Sequence, residues 1–213
     1  MTPEDLRFYG EFALALEANE KIMLTEVQRI LDSISTDSET RLAEHIKSRI
    51  KSSGSLCEKL ERQGLPVSAE SGLRDLSDII GLRVVTHFVG DIYTVLEKIE
   101  QSAVWRVVAV KDYIAHAKPN GYRSLHVIVR IPVYFMDSKE MVPVEVQIRT
   151  IAMDYWASLE HDLKYKAVAE THGLDIAGEL QECSQIIEGI EQRMQVLANA
   201  LDAGQAKHTK LSK

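Results

Sequence analysis

Two carboxylates stand where a soluble chain ordinarily avoids them. Asp78 precedes the apolar run IIGLRVV and Glu145 lies inside VPVEVQI, both in segments that read as central strands. A carboxylate there is costly unless it is paired or bound to a metal. Two of them on neighbouring strands make a natural Mg²⁺ site, because Mg²⁺ takes one or two carboxylates and completes its shell with phosphate oxygens and water. The competing reading is a structural ion pair with Arg83 or Arg149.

A second group is cationic. RIKSSGSLCEKLER carries Arg49, Lys51, Ser55, Lys59 and Arg62, and the last three fall at i, i+4 and i+7 on one helix face. A helix N-terminus ringed by four cations suits a polyphosphate; an exposed basic helix is the plainer alternative. A third group is KPNGYRSLH, residues 118 to 126, in which a glycine precedes an aromatic ring with cations on both sides. Such a loop can stack a base and hold a phosphate, although a lone Tyr122 is commonly core and His126 can be a satisfied strand histidine. The sequence has no GxxxxGK[ST] loop, no GxGxxG after a strand, no HExxH and no GxSxG. A phosphate therefore has to be held by side chains.

The elements that must position these groups follow from periodicity. Thr2, Pro3, Glu4 and Asp5 open a helix, and apolar residues recur through Ile34, which gives one long helix or a broken pair ending at polar STDSET, residues 35 to 40. Ser55 and Glu58 have capping-box spacing, and Gly64 with Pro66 stops that helix. Then come the strand IIGLRVVTHFV, the helix DIYTVLEKIE behind an Asp91 cap, the strand VWRVVAV, and two strands flanking the polar bend MDSKE. In the second of these, Val144, Val146 and Ile148 face one side and Glu145, Gln147 and Arg149 the other. A helix capped by Thr150 follows. Apolar residues at 176, 180, 183, 187, 190, 194, 197 and 201 form a 4,3 seam, either an intramolecular hairpin against the first long helix or an oligomer interface. AKHTKLSK is expected to be loose.

Bulk properties narrow the function. A net charge of −7 and a pI near 5.5 argue against a general nucleic-acid binder. Residues 41–62 nevertheless hold six basic side chains against three acids, and residues 106–130 five against one. Two basic segments in an acidic chain point to a focused anionic site. Cys57 and Cys183 are too few for a disulfide scaffold. The N-terminus lacks a secretory pattern, and no apolar run approaches the roughly 20 residues that span a bilayer. A cytoplasmic protein with no membrane association is expected.

In this order, RIKSSGSLCEKLER (49–62), DIIGLRVV (78–85), GYRSLH (121–126), EVQIRT (145–150) and AMDYWASLEHDLKYK (152–166) resemble the synthetase domain of the RelA/SpoT family, in particular the small alarmone synthetases. The resemblance implies an α+β fold, a nucleotidyltransferase-like mixed β-sheet flanked by helices, with long N- and C-terminal helices. It divides the chain into an N-terminal helical region (1–40), a synthetase core (41–168) and a C-terminal helix and tail (169–213). The implied reaction moves the β,γ-pyrophosphate of ATP to the ribose 3′-OH of GDP or GTP, giving ppGpp or pppGpp and AMP. By position, Arg49, Lys51, Ser55, Lys59 and Arg62 bind ATP. Asp78 and Glu145 hold Mg²⁺, and Glu145 also takes the 3′-OH proton. Tyr122 stacks on guanine, Lys118 and His126 meet acceptor phosphates, Gln147, Asp154 and Glu160 line the acceptor side, and Arg83 supports the site.

Two positions depart from the pattern. Asp154 replaces an Asn common among relatives, which reverses hydrogen-bonding sense near the acceptor base, and Lys111 replaces an expected Arg, which loses a bidentate donor. Within this length the family's hydrolase domain is not expected, so synthesis of alarmone without its hydrolysis is the expectation. The rivals are a toxic relative that pyrophosphorylates tRNA or adenine nucleotides, and a catalytically silent nucleotide or RNA sensor. A homo-oligomer, in the family commonly a tetramer, and an alarmone or single-stranded RNA regulator are further implied partners.

Overall fold

The computed structural model describes residues 1–34, 42–135, 138–167 and 175–211, and the side chains of these except 133–135, 138–140, 164–167 and 202–211. The expected break at 35–40 and the first two residues of the MDSKE bend, 136 and 137, lie outside the described residues. Five strands form one mixed sheet in the order β1-β2-β5-β4-β3: β1 Ala43–Ile50, β2 Ile80–Thr86, β3 Arg106–Asp112, β4 Leu125–Phe135 and β5 Ser138–Thr150. Only β2 and β5 run parallel, joined by the crossover that contains helix α5 Val89–Glu100. The architecture is the expected α+β sheet.

The alternation read in β5 recurs across the sheet. Leu82, Val127 and Val146 share one lateral row, and Val84, Leu125 and Ile148 the next, all essentially inaccessible to solvent. This face is covered by α2 Phe12–Ile34, through Leu16, Met23, Val27 and Ile30, and by α5, through Ile92, Val95 and Ile99. Each such aliphatic side chain contributes about 1.5–3 kcal/mol by leaving water. The opposite face is polar.

The N-terminal helical signal is a broken pair. Helix α1, Pro3–Tyr9, is capped by Thr2 and ended by Gly10 at φ 53°. Asp5 completes the capping box and also reaches α3, Ser53–Arg62, accepting from the Ser53 N–H at 2.7 Å and the Ser53 hydroxyl at 2.8 Å. The cap of α3 is Ser52 and not Ser55: the Ser52 hydroxyl accepts from the Ser55 N–H. In SSGS each serine can cap, and docking to α1 selects the first. Helix α5 likewise starts two residues before Asp91, whose carboxylate accepts from the Phe88 N–H. Strand β1 and the short helix α4, Ala69–Asp75, carry no clear periodicity and were not expected.

Thr150 caps α6, Ile151–Ala167, as expected, accepting from the Met153 N–H at 3.1 Å. Helix α7, Ile176–Leu211, packs against α6 and α5 rather than forming a hairpin with α2. It continues through most of the tail expected to be loose. Its inward side chains are Leu180, Ser184 and Glu191, while Ile186, Ile190, Met194, Leu197 and Leu201 are exposed. The 4,3 seam therefore lies largely on the outer side. Polar groups on the inner side meet hydrogen-bonding partners, which explains the inversion.

Candidate active site

Lateral pairing brings the functional side chains onto the polar face. Lys47, Arg83, Gln147, His126 and Lys111 form one row across all five strands, and Arg49, Gly81 and Glu145 form the next. Between β1, β2 and β5 lies a cleft of about 270 Å³ lined by Lys47, Arg49, Asp78, Gly81, Arg83, Glu145 and Gln147. Gly81 contributes no side chain, which opens the floor between Arg49 and Glu145.

Asp78 sits just before β2 and is gripped by two ammonium groups, Lys51 at 2.9 Å and Lys59 at 2.8 Å. Burial alone would raise its pKa, but Lys59 and then Lys51 outweigh that, so the carboxyl lies below its ordinary range. Lys51 is itself positioned from α1, since Tyr9 donates its hydroxyl to the Lys51 carbonyl at 2.6 Å. Glu145 bonds His126 Nδ1 at 3.0 Å through one oxygen and accepts from Gln147 Nε2 at 2.7 Å through the other. Burial again pushes upward and the His126 and Gln147 contacts pull further down, leaving Glu145 ionised at neutral pH. The alternative pairing of these carboxylates with Arg83 or Arg149 is not what forms. Both arginines bind Asp154 Oδ1, at 3.1 and 3.3 Å.

The loop before β4 supplies the other half. Tyr122 is half-buried, its hydroxyl 2.8 Å from His126 Nε2 and accepting from Arg149 Nη2 at 2.6 Å. Lys118 Nζ lies over the rings of Tyr113 and Tyr122, 4.5 and 4.8 Å from their centroids. Asn120 donates to Glu160 Oε1 on α6 at 2.9 Å. A continuous chain thus runs from Arg149 through Tyr122 and His126 to Glu145.

Among the expected ATP-site residues, Arg49 lines the cleft and Lys51 and Lys59 meet Asp78. Ser55 is exposed at the first turn of α3; Arg62, exposed in its last turn, is not among the cleft residues. Lys111 ends the polar row at the sheet edge and is exposed. Sequence reasoning missed Arg149 as the anchor of Tyr122, and also Tyr113 and Asn120. The signal for Arg149 was present, since it alternates with Glu145 and Gln147. Both carboxylates offer the hard oxygen donors that Mg²⁺ takes. Among the described residues no cluster of three or more His, Cys, Asp or Glu side chains forms a metal site. The donor set therefore fits an ion whose shell is completed by ligand oxygens.

Comparison with known proteins points the same way. The family described as the region found in RelA / SpoT proteins matches residues 48–170. The GTP pyrophosphokinase YwaC of Bacillus subtilis is 42% identical over 159 residues, covering 75% of this chain and 75% of that protein. The GTP pyrophosphokinase YjbM of the same organism is 33% identical over 170 residues, covering 80% of this chain and 79% of the relative. Among solved structures, the small alarmone synthetase 1 of B. subtilis bound to its product pppGpp superposes with a TM-score of 0.79 at 29% identity, covering 89% of this chain and 95% of that one.

Proposed function

This chain belongs to the RelA/SpoT family, and from that premise we propose that it is a GTP pyrophosphokinase that makes ppGpp and pppGpp from ATP and GDP or GTP. The acceptor's 3′-oxygen attacks the β-phosphorus of ATP, the bond from that phosphorus to the oxygen bridging the α-phosphate breaks, and AMP leaves. Glu145 takes the 3′-OH proton. Such transfers need little covalent chemistry from the protein; they need two nucleotides held in line and their charge neutralised.

The observation that carries this reading is the arrangement of the cleft. Two ionised carboxylates share it, with the Lys51, Lys59 and Arg49 cations on the β1 side and the Tyr122, His126 and Gln147 group on the β4 side. Arg49, Lys51, Ser55, Lys59 and Arg62 are assigned to ATP. Lys118, Tyr122, His126, Gln147, Asp154 and Glu160 are assigned to the acceptor. Asp78 and Glu145 are the residues that hold Mg²⁺, which, when bound, neutralises phosphate charge. Arg83 and Arg149 keep Asp154 paired.

Assembly belongs to the same reading. The exposed apolar stripe of α7, Ile186, Ile190, Met194, Leu197 and Leu201, fits a second copy of this chain, and a homotetramer is the assembly we favour. No helix among the described residues is long and apolar enough to cross a membrane.

The test is incubation with γ-labelled ATP and Mg²⁺ in separate tubes containing GDP, GTP, no further acceptor, or deacylated tRNA. Label in guanosine tetra- or pentaphosphate is the expected result. Label on tRNA or an adenosine product, or none at all, overturns the reading.

A further inference from the structure

Helix α7 buries polar groups where apolar ones would join it to the core more cheaply. Ser184 is 6% exposed, Glu191 9% and Arg123, the partner of Glu191, 7%. All three converge on the loop that carries Tyr122. The Ser184 hydroxyl donates to the Gly121 carbonyl at 2.5 Å. Gly121 adopts φ +88°, and a Cβ there would stand 2.8 Å from Ser184 Cβ and 3.1 Å from Gln181 Cα. Only a glycine allows the loop this close to the helix.

Two residues on, Arg123 donates to Glu191 Oε2 at 2.7 Å, with Glu188 at 3.6 Å. The other Glu191 oxygen accepts from the Thr150 hydroxyl, the group that caps α6. Trp156 on α6 donates to the Leu180 carbonyl at 2.9 Å. One carboxylate on α7 thus joins the loop holding Tyr122 to the start of the helix holding Asp154 and Glu160. Tyr122 itself lies between the two loop residues that α7 grips. An apolar patch could supply burial but would not fix the register of three elements, whereas directed charge-assisted bonds do.

We infer that Ser184 and Glu191 are positioning residues for the acceptor nucleotide: the inner face of α7 sets the loop 118–124 against α6, and neither side chain touches substrate. The inference rests on the proposal that this loop and α6 receive the acceptor. It predicts that damage to the α7 contacts is felt at the acceptor and not at ATP, whose cations lie on β1 and α3.

Glu191→Gln leaves the buried Arg123 charge only the more distant Glu188 carboxylate and can unfold the chain, so Ser184→Ala, which keeps Cβ and deletes one hydroxyl, carries the test. The full chain is assayed by amide hydrogen exchange over residues 118–124, by KM for GDP at saturating ATP, and by KM for ATP at saturating GDP, with Tyr122→Ala in parallel. Ser184→Ala should exchange faster in the loop and raise the GDP KM about three- to tenfold, the worth of one hydrogen bond, with the ATP KM within about twofold. Unchanged loop exchange, an unchanged GDP KM, or an equal rise in both KM values overturns the positioning role. If Tyr122→Ala also leaves the GDP KM unmoved, the acceptor assignment itself fails. Faster loop exchange would then mark a purely structural contact.

Discussion

Replacing Gly121 by alanine separates backbone strain from packing against α7. Among the described residues three glycines have positive φ: Gly10 at 53°, Gly64 at 68° and Gly121 at 88°. At Gly64 a Cβ would meet nothing within 4 Å, so alanine there costs only the positive-φ conformation, about 1–2 kcal/mol. At Gly121 the new methyl would lie 2.8 Å from Ser184 Cβ and 3.1 Å from Gln181 Cα. Neither atom is the end of a flexible side chain, so the loop or the helix has to move, and overpacking of this kind adds about 1–3 kcal/mol. Gly121→Ala is therefore expected to lose about 2–5 kcal/mol in urea titration. The displaced loop should also raise the KM for GDP, while Gly64→Ala leaves it unchanged. If Gly121→Ala unfolds within about 0.5 kcal/mol of Gly64→Ala, α7 does not press on the loop and the reasoning fails.

Three further substitutions test other parts of the site. Glu145→Gln should lower kcat by at least about 10²–10⁴-fold, the usual worth of a general base, while calorimetry still detects nucleotide binding; retained turnover would refute its role. Asp5→Ala removes the acceptor shared by Thr2 and the first turn of α3, and should raise the KM for ATP with little change in that for GDP. A GDP effect of equal size would mean that α1 supports the whole fold rather than the donor side. Acid stability provides the third. The Asp78 and Glu145 carboxyls lie below their unfolded values, so both stabilise the fold above about pH 4, and that contribution disappears as pH falls through the lower folded values. Asp78→Asn should accordingly flatten the drop in urea midpoint between about pH 5 and pH 3; an unchanged slope would show that the Lys51 and Lys59 pairs are not what stabilises at neutral pH.

The groups on strands with clean alternation were legible in the order of residues alone. Val144, Val146 and Ile148 opposite Glu145, Gln147 and Arg149 mark the core face and the site face of β5 together, and the spacing of Ile92, Val95 and Ile99 marks the buried side of α5. Strand β1 was hidden because it is an edge strand whose AEHIKSRI mixes charge with only half-buried aliphatics. Its place beside β2 nevertheless puts Arg49 in the cleft. The partners of the carboxylates were also beyond reach, because pairing Asp78 with Lys51 and Lys59 depends on where α3 docks, and that depends on the Asp5 contact 48 residues away. In α7 the spacing does mark an apolar seam, but most of that seam faces outward. Periodicity reports that a face is apolar; the hydrogen-bonding needs of Gly121, Arg123 and Thr150 decide which face turns inward.

The resting cleft already gives each of its carboxylates partners. Asp78 is paired with Lys51 and Lys59 and Asp154 with Arg83 and Arg149, while Glu145 is hydrogen-bonded to His126 and Gln147. A cleft with this much bare charge would destabilise the sheet on which it is built. Paired internally, the same groups stabilise the fold and remain available, because a polyphosphate and its cation bring both signs together. Lysines can then exchange a carboxylate oxygen for a phosphate oxygen, and a carboxylate an ammonium for a cation, with no ion left alone in the interior. In the proposed reaction, substrate binding becomes an exchange of partners in place of a fresh desolvation. The only covalent event that this proposal asks of the protein is removal of one proton, by a carboxylate whose orientation is held through His126 and Tyr122 to Arg149.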